Sequence, residues 1–288
     1  SRTSWESAIT PHVNNVPFSM SGQGQQASIK ISLAMSRHSG QANFVMIEEP
    51  ENHLSHTSLT ILLSRLKTLA GEQQQLFITT HSTFVLNRLG LDALLLIGRN
   101  SVSKISELDP DTVSYFQKLP GYDTLRMALA NKVVLVEGPS DEIVFERFFQ
   151  DLFGMRPMEF GIDVISMRGL SLGRCLELCA ALDKNVAVLR DNDGIDPILL
   201  REPLKKWLKS GQRELFIGSV ENGRTLEPQI VHHNSEASIR KILGITEAAN
   251  LTTWMSREKT ETALRIASAS SKITPPDYMK NAARFIHD

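Results

Sequence analysis

Glu137, Asp141, Asp191 and Asp193 are the residues of this sequence best placed to do chemistry. The first two close the stretch Lys132-Val-Val-Leu-Val-Glu137-Gly138-Pro-Ser-Asp141, and the second pair closes Val186-Ala-Val-Leu-Arg-Asp191-Asn-Asp193-Gly194. Each piece is an apolar β-type run ending in carboxylates, and carboxylates at strand ends are how an α/β sheet presents oxygen ligands to a divalent metal. The alternative for Asp191-Asn-Asp193-Gly194 is a plain turn, because Asp, Asn and Gly are turn formers. A calcium loop of the EF-hand type is excluded, since Ile195 and Asp196 stand where that loop requires Asp or Asn and then Gly.

Alternating strands and helices are needed to position these groups. Strand 132–137 leads to a helix carrying Ile143, Val144, Phe148 and Leu152, strand 163–167 to one carrying Cys175, Leu178 and Leu182, and strand 186–190 to a helix over 197–209. A fourth strand, 214–220, runs towards Glu221 and Glu227. Repeated βα units with right-handed crossovers build a mostly parallel sheet with its ligands at the carboxyl ends of the strands. From Ser235 onward the pattern is helical only, with Pro275-Pro276 separating the last two helices. In the first half, Phe44–Ile47 ends in Glu48-Glu49-Pro50-Glu51-Asn52-His53-Leu54, and a helical pattern follows through Leu59, Leu62, Leu63, Leu66 and Leu69. Strand 75–80 then ends in His81-Ser82, and strand 93–97 leads into a stretch with turn signals at Asp109-Pro110 and Pro120-Gly121. The domain boundary falls there, giving domains 1–118 and 131–288.

Composition bounds the reading. The 288 residues are 41% hydrophobic and 22% charged, ordinary for one or two globular domains. Lys+Arg 31 against Asp+Glu 32 leaves a net charge of -1, so affinity for a polyanion has to come from a local basic face. Cys175 and Cys179 lie one helical turn apart without further zinc ligands, which marks them as core residues of a reducing compartment. No apolar run is long enough to span a membrane and no signal peptide is visible, so a cytoplasmic location is expected.

Ser21-Gly22-Gln23-Gly24-Gln25-Gln26 precedes a helical run and offers free backbone N–H groups and a positive dipole end to an anion. Together with the strand ending in Glu48-Glu49 and the strand ending in His81, this order resembles the ATPase heads of the ABC class: signature loop, Walker B strand, switch histidine. The resemblance implies that Ser21, Gly22 and Gly24 face the γ-phosphate of ATP held by a partner protomer. It also implies that Glu48 supports Mg²⁺, Glu49 orients the attacking water and His81 touches the γ-phosphate. Taken singly, Ser21 reads as an N-cap, Glu48 and Glu49 as first-turn helix charges and His81 as a loop histidine. No Walker A loop, G-x-x-x-x-G-K-[ST], is present. Either the lobe gripping the nucleotide lies upstream or the head is degenerate; with Ser rather than Met at the first position, the expectation is an upstream lobe.

The second half resembles the TOPRIM fold of topoisomerases, primases and a group of nucleases. The order of ATPase head and then TOPRIM is similar to the OLD family of ATP-dependent endonucleases, named for overcoming a lysogenisation defect, which includes the nuclease subunit of the Gabija phage-defence system. The resemblance runs from Ser21 to Ile286 and rests on Ile47-Glu-Glu-Pro-Glu-Asn-His-Leu54, Val136-Glu-Gly-Pro-Ser-Asp141 and Glu258-Lys259-Thr260-Glu261-Thr-Ala-Leu264. It implies an α/β fold: a partial ABC-type ATPase lobe followed by a Rossmann-like, mostly parallel TOPRIM sheet with a helical extension from about 235. It implies two divalent cations, Mg²⁺ or Mn²⁺, on Glu137, Asp141, Asp191, Asp193 and Glu227, with Glu221 as the alternative to Glu227 and Lys259 as the assisting lysine. Glu137, Asp191 and Lys259 are then the catalytic group. Two cations about 4 Å apart activate a water and stabilise a leaving oxygen, and a lysine neutralises a phosphate oxygen. DNA is the expected substrate, a homodimer or higher oligomer the expected assembly, and a helicase or other defence-system protein the expected partner. Competing readings are a TOPRIM nuclease acting on RNA and an ATP-gated DNA clamp or sensor. A topoisomerase needs a nucleophilic tyrosine, and Tyr115, Tyr122 and Tyr278 occupy no recognisable catalytic context; a primase lacks its zinc-binding segment.

Overall fold

A computed structural model describes residues 11–13, 15–37, 44–69, 75–89, 94–97, 102–104, 108–118, 124–246 and 250–288. Two compact units compose the chain, one up to Gly90 and one from Leu91. Tyr122 and the Pro120-Gly121 turn signal lie outside the described residues.

In the first unit, β1 (His12–Val13) pairs antiparallel with β2 (Val16–Pro17), and α1 (Gln23–Arg37) follows. Then come β3 (Phe44–Glu48), α2 (His56–Leu69), β4 (Gln75–Thr79) and α3 (Thr83–Leu89). Strands β3 and β4 are parallel, with Ile47 beside Ile78 and Glu48 beside Thr79. Their alternation puts Val45, Ile47, Leu76 and Ile78 against Leu59, Leu62, Leu63 and Leu66, the buried helical stripe that the 3.6-residue spacing of α2 predicts, and against Val85 of α3. Phe44, Met46 and Phe77 alternate to the other face, where they remain exposed.

The second unit opens with an antiparallel pair, β5 (Leu95–Ile97) and β6 (Val102–Lys104), and two helices, α4 (Pro110–Gln117) and α5 (Thr124–Leu129). Asp109 caps α4 by accepting from the Asp111 N–H at 2.8 Å, with Pro110 at the first helical position. Strands β7 (Lys132–Val136), β8 (Ile162–Ser166), β9 (Asn185–Arg190) and β10 (Arg213–Ile217) form a four-stranded, all-parallel sheet in the order β10-β9-β7-β8. Helices α6 (Pro139–Phe153), α7 (Leu172–Ala181) and α8 (Pro197–Arg201) connect them, and α9 (Leu226–His232), α10 (Glu236–Leu243), α11 (Leu251–Arg257), α12 (Lys259–Ser268) and α13 (Asp277–His287) complete the chain. Glu177 on α7 accepts from the Asp109 N–H at 3.0 Å and the Thr112 hydroxyl at 2.7 Å, which fastens α4 to this unit.

Val133, Val134, Leu135 and Val136 are all buried, as expected of a central parallel strand covered on both faces. Val134, Val136, Val164, Ala187 and Leu189 face Phe145, Phe148 and Phe149 of α6 together with Met279, Ala282 and Ile286 of α13. Cys175 and Cys179 are buried in α7, and burial pushes both thiols up to about 12, which makes them inert core residues. The helix expected over 197–209 stops at Arg201 and gives way to a 3-10 turn over Glu202–Leu204. Pro203 is the reason, since it has no N–H to donate back to the preceding turn. Helix α9 was not anticipated from the sequence; at seven residues it is too short to show a period. Among the described residues no helix is long and apolar enough to cross a membrane.

Candidate functional site

The strand order decides where chemistry can occur. After β7 the chain steps to β8 on one side, whereas after β9 it steps to β10 on the other, so the carboxyl ends of β7 and β9 flank the topological switch point. Glu137 is the first residue beyond β7 and Asp191 the first beyond β9; the Asp191 N–H donates to the Glu137 carboxylate at 3.3 Å. Asp141 sits in the first turn of α6 and accepts from the Gly138 N–H at 2.9 Å, fixing the entry to the helix. Glu227, in the first turn of α9, is buried; its carboxylate accepts from the Thr225 hydroxyl at 2.7 Å and lies 3.8 Å from Lys259 Nζ. Asp193 stands in the left-handed region at φ 52 and is exposed, while Glu221 is exposed on a separate 3-10 turn.

Electrostatics ties these groups into one cluster. Burial, and then repulsion from Asp141, Glu137 and Glu227, pushes the Asp191 carboxyl up to about 8 against the pull of Lys259. Asp141 is raised by burial and by Glu227, and Glu137 by burial, Asp141 and Asp193. Asp193 therefore acts on Glu137 from the rim. Among the described residues no three His, Cys, Asp or Glu side chains converge into a preformed metal cluster. The donor chemistry nevertheless fits a hard divalent cation: the ligands are oxygen only, partly desolvated, and costly to ionise together unless cations offset them.

Two cations at the far edge of the unit aim helix starts at this cluster. Lys132 Nζ donates to the Ile286 and His287 carbonyls at 2.9 and 3.0 Å, holding the end of α13, so that its start, with Tyr278, lies beside the acids. Arg147 donates to the Ile266, Ala267 and Ala269 carbonyls and pairs with Asp151, holding the end of α12, whose first residue is Lys259. Tyr278 is a residue that the sequence reading left without context. Burial and the charges of Asp191, Asp141, Glu227 and Glu137 push its phenol well above the ordinary range, so it is kept protonated and is a poor nucleophile.

Asn192 was also missed, although it stands between the two aspartates. It is buried, donates to the Gly218 and Gly223 carbonyls at 3.1 and 2.7 Å and accepts from the Gly194 N–H at 2.8 Å. The Asp-Asn-Asp-Gly segment is thus a turn and part of the acidic site at once. Asn192→Ala leaves the Gly218 carbonyl and the Gly194 N–H without this partner, while the Gly223 carbonyl keeps Gln229, and it is expected to lower stability by about 2 kcal/mol. Urea denaturation measures this, and a wild-type midpoint would remove the rivet.

In the first unit, Glu48 ends β3, and Glu49, at φ 41, approaches His81 with Oε1 3.6 Å from Nε2. Asn52 donates to Glu49 Oε2 at 2.6 Å. Glu51, which the sequence reading left without a role, accepts from the Thr80 hydroxyl at 2.6 Å and the His81 N–H at 3.1 Å. Ser21 and Gly22 precede α1; a Cβ on Gly24 would lie 2.1 Å from the His53 carbonyl oxygen, so this glycine is required by a close backbone approach within the chain.

An all-parallel sheet with acidic residues at its switch point and a lysine brought in from the helical extension defines the second unit as a TOPRIM-type α/β domain. Residues 129–193 match the family described as Overcoming lysogenization defect protein-like, TOPRIM domain, and residues 4–86 match the family described as AAA ATPase domain. The Old nuclease of Escherichia phage P2 is 26% identical over 205 residues, 63% of this chain and 34% of that protein, so the chain spans about a third of the length of this curated relative. Of solved structures, the C-terminal region of the Burkholderia pseudomallei OLD protein is 20% identical at a TM-score of 0.44, covering 56% of this chain and 98% of that one. The corresponding region of the Xanthomonas campestris pv. campestris OLD protein is 18% identical at a TM-score of 0.43, covering 55% and 93%. Together these matches support an ATPase–TOPRIM protein of the OLD type.

Proposed function

We propose that this chain carries the nuclease centre and part of the ATPase of a divalent-metal-dependent endonuclease that hydrolyses DNA phosphodiester bonds under ATP control, in phage defence or DNA processing. The observation that carries the reading is Asp191, whose carboxyl is pushed up to about 8 at a sheet switch point by burial and three neighbouring carboxylates. The family matches and the Old nuclease support it. Glu137, Asp141, Asp191, Asp193 and Glu227 would hold Mg²⁺ or Mn²⁺, two per centre. Such ions supply an activated water and charge stabilisation on the leaving oxygen. The chain's own contributions are orientation and charge. Glu137 is fixed by the Asp191 N–H and Asp141 by the Gly138 N–H, Thr225 orients Glu227, and Lys259, half-exposed beside Glu227, meets an incoming phosphate oxygen.

For the ATPase portion, Glu48, Glu49 and His81 would serve ATP and its Mg²⁺ together with a Walker A lobe that this sequence lacks. The nuclease ligands all follow Lys132, so nicking and ATP turnover are separable. The chain is expected to nick supercoiled plasmid with Mg²⁺ or Mn²⁺, to stop when EDTA is added, and to show no ATP turnover. Plasmid relaxation on agarose gels and phosphate release measure both. Nicking that persists in EDTA sinks the metal reading, and robust ATP turnover by this chain sinks the account of the ATPase portion.

A further inference from the structure

The turn that carries Asp191 and Asp193 lies beneath an arginine that no step above has used. Gly194, at φ 84, would put a Cβ 3.0 Å from Arg224 Nε and 3.4 Å from its Cδ and Cζ, so the guanidinium stem lies along the glycine. The backbone beneath Arg224 is pinned from both sides. Its own carbonyl accepts from the Asp193 N–H at 3.1 Å, and the preceding Gly223 carbonyl accepts from Asn192 and Gln229, each at 2.7 Å. On the following side, Thr225 binds Glu227. Arg224 therefore projects from a rigid turn between the Asp191–Gly194 segment and the Glu227 helix. It is exposed, and among the described residues it enters no ion pair, whereas Arg190 approaches Glu137 at 4.0 Å and Arg213 approaches Asp183 at 3.4 Å.

A permanently charged, planar donor kept beside a carboxylate cluster without pairing to it is placed to meet an anion from outside, and its fork suits two oxygens of one phosphate. We propose that Arg224 is a substrate-binding residue that grips a backbone phosphate of the nucleic acid and sets it over the Asp191–Glu227 centre. This rests on the nuclease reading. It adds a phosphate contact on the side of the centre bounded by Gly194. The glycine is then required twice, for its left-handed backbone and for the room that it gives the guanidinium.

The test compares wild type, Arg224→Gln and Arg224→Lys as the full chain, by fluorescence anisotropy with a labelled DNA duplex in EDTA across a salt series, with melting curves as a folding control. Arg224→Gln is expected to weaken binding roughly tenfold or more. It is also expected to lower the slope of log affinity against log salt by about one, the loss of a single phosphate contact. Arg224→Lys keeps the charge, so it keeps the slope while losing part of the affinity. In Mn²⁺ the same loss enters KM for the duplex more than kcat. Wild-type affinity and slope in Arg224→Gln, or no binding of DNA by the wild type, overturns the proposal. Arg224-dependent binding with no metal-dependent cleavage by the wild type strikes the nuclease reading and leaves the phosphate site standing. Cleavage with Arg224-independent binding strikes the site alone.

Discussion

Asp191→Ala is expected to lower metal-dependent nicking by about a thousandfold or more, the rate equivalent of ~4 kcal/mol of transition-state stabilisation. Asp191 follows β9, next to Glu137 at the end of β7, and it feels Asp141, Glu137 and Glu227 together. It is the residue through which the cluster is coupled. Its side chain donates nothing to the fold; the 3.3 Å bond to Glu137 is made by its backbone N–H, which alanine keeps. Removing a carboxylate from a crowded set relieves repulsion in the metal-free protein, so stability without metal should hold or rise. With the Asp191 carboxyl up at about 8, most of that relief is seen above neutrality, where the wild type is forced to ionise. Plasmid nicking in Mg²⁺ and in Mn²⁺, set beside metal-free melting at pH 7 and pH 9, separates a ligand from a structural residue. Nicking at the wild-type rate sinks the metal-centre reading, and a large metal-free loss of stability assigns Asp191 to the fold.

The second unit was legible because its two central parallel strands are continuous apolar runs that stop at carboxylates: Val133–Val136 before Glu137, and Val186–Leu189 before Arg190 and Asp191. What the sequence does not print is strand order. Nothing local says that β7 lies between β8 and β9, yet that order makes the ends of β7 and β9 the switch point. The placement of Lys259 beside Glu227 was anticipated through a family likeness; the physical cause is Arg147 gripping the end of α12. Tyr278 was passed over because burial beside four carboxylates is a tertiary property of a residue whose local setting shows only a proline break. In the first unit, the parallel pairing of β3 and β4 brings Glu49 and His81 together, as an acid and a histidine at successive strand ends suggest. Gly24 was read only as an anion-loop residue. Its contact with the His53 carbonyl is a close approach between distant segments, which composition does not reveal.

The metal-free protein is expected to lose stability as pH rises from 5 to 9, opposite to the usual behaviour of acidic residues. The folded-state carboxyl of Asp191, at about 8, lies above the unfolded reference of about 3.9, so folding takes up a proton in the interval between them. The stabilising contribution is complete below the unfolded value and is drained as pH climbs through the folded one. At ~1.4 kcal/mol per unit, and roughly halved for water access to a partly buried site, the loss is on the order of 3 kcal/mol. Glu137 and Asp141 are raised too and act with the same sign. Asp183, whose carboxyl is lowered by Gln212, titrates below this window. Divalent cations compete with those protons, so Mg²⁺ should stabilise the protein far more at pH 9 than at pH 5. Urea denaturation at pH 5, 7 and 9, with and without Mg²⁺, measures the slope, and Asp191→Asn, of the same shape but without the titration, supplies the reference. The variant should fall less steeply than the wild type, keeping only the part that Glu137 and Asp141 contribute. Equal slopes in the two proteins, or wild-type stability that rises with pH, would show that Asp191 is not the proton-holding member of the acidic cluster.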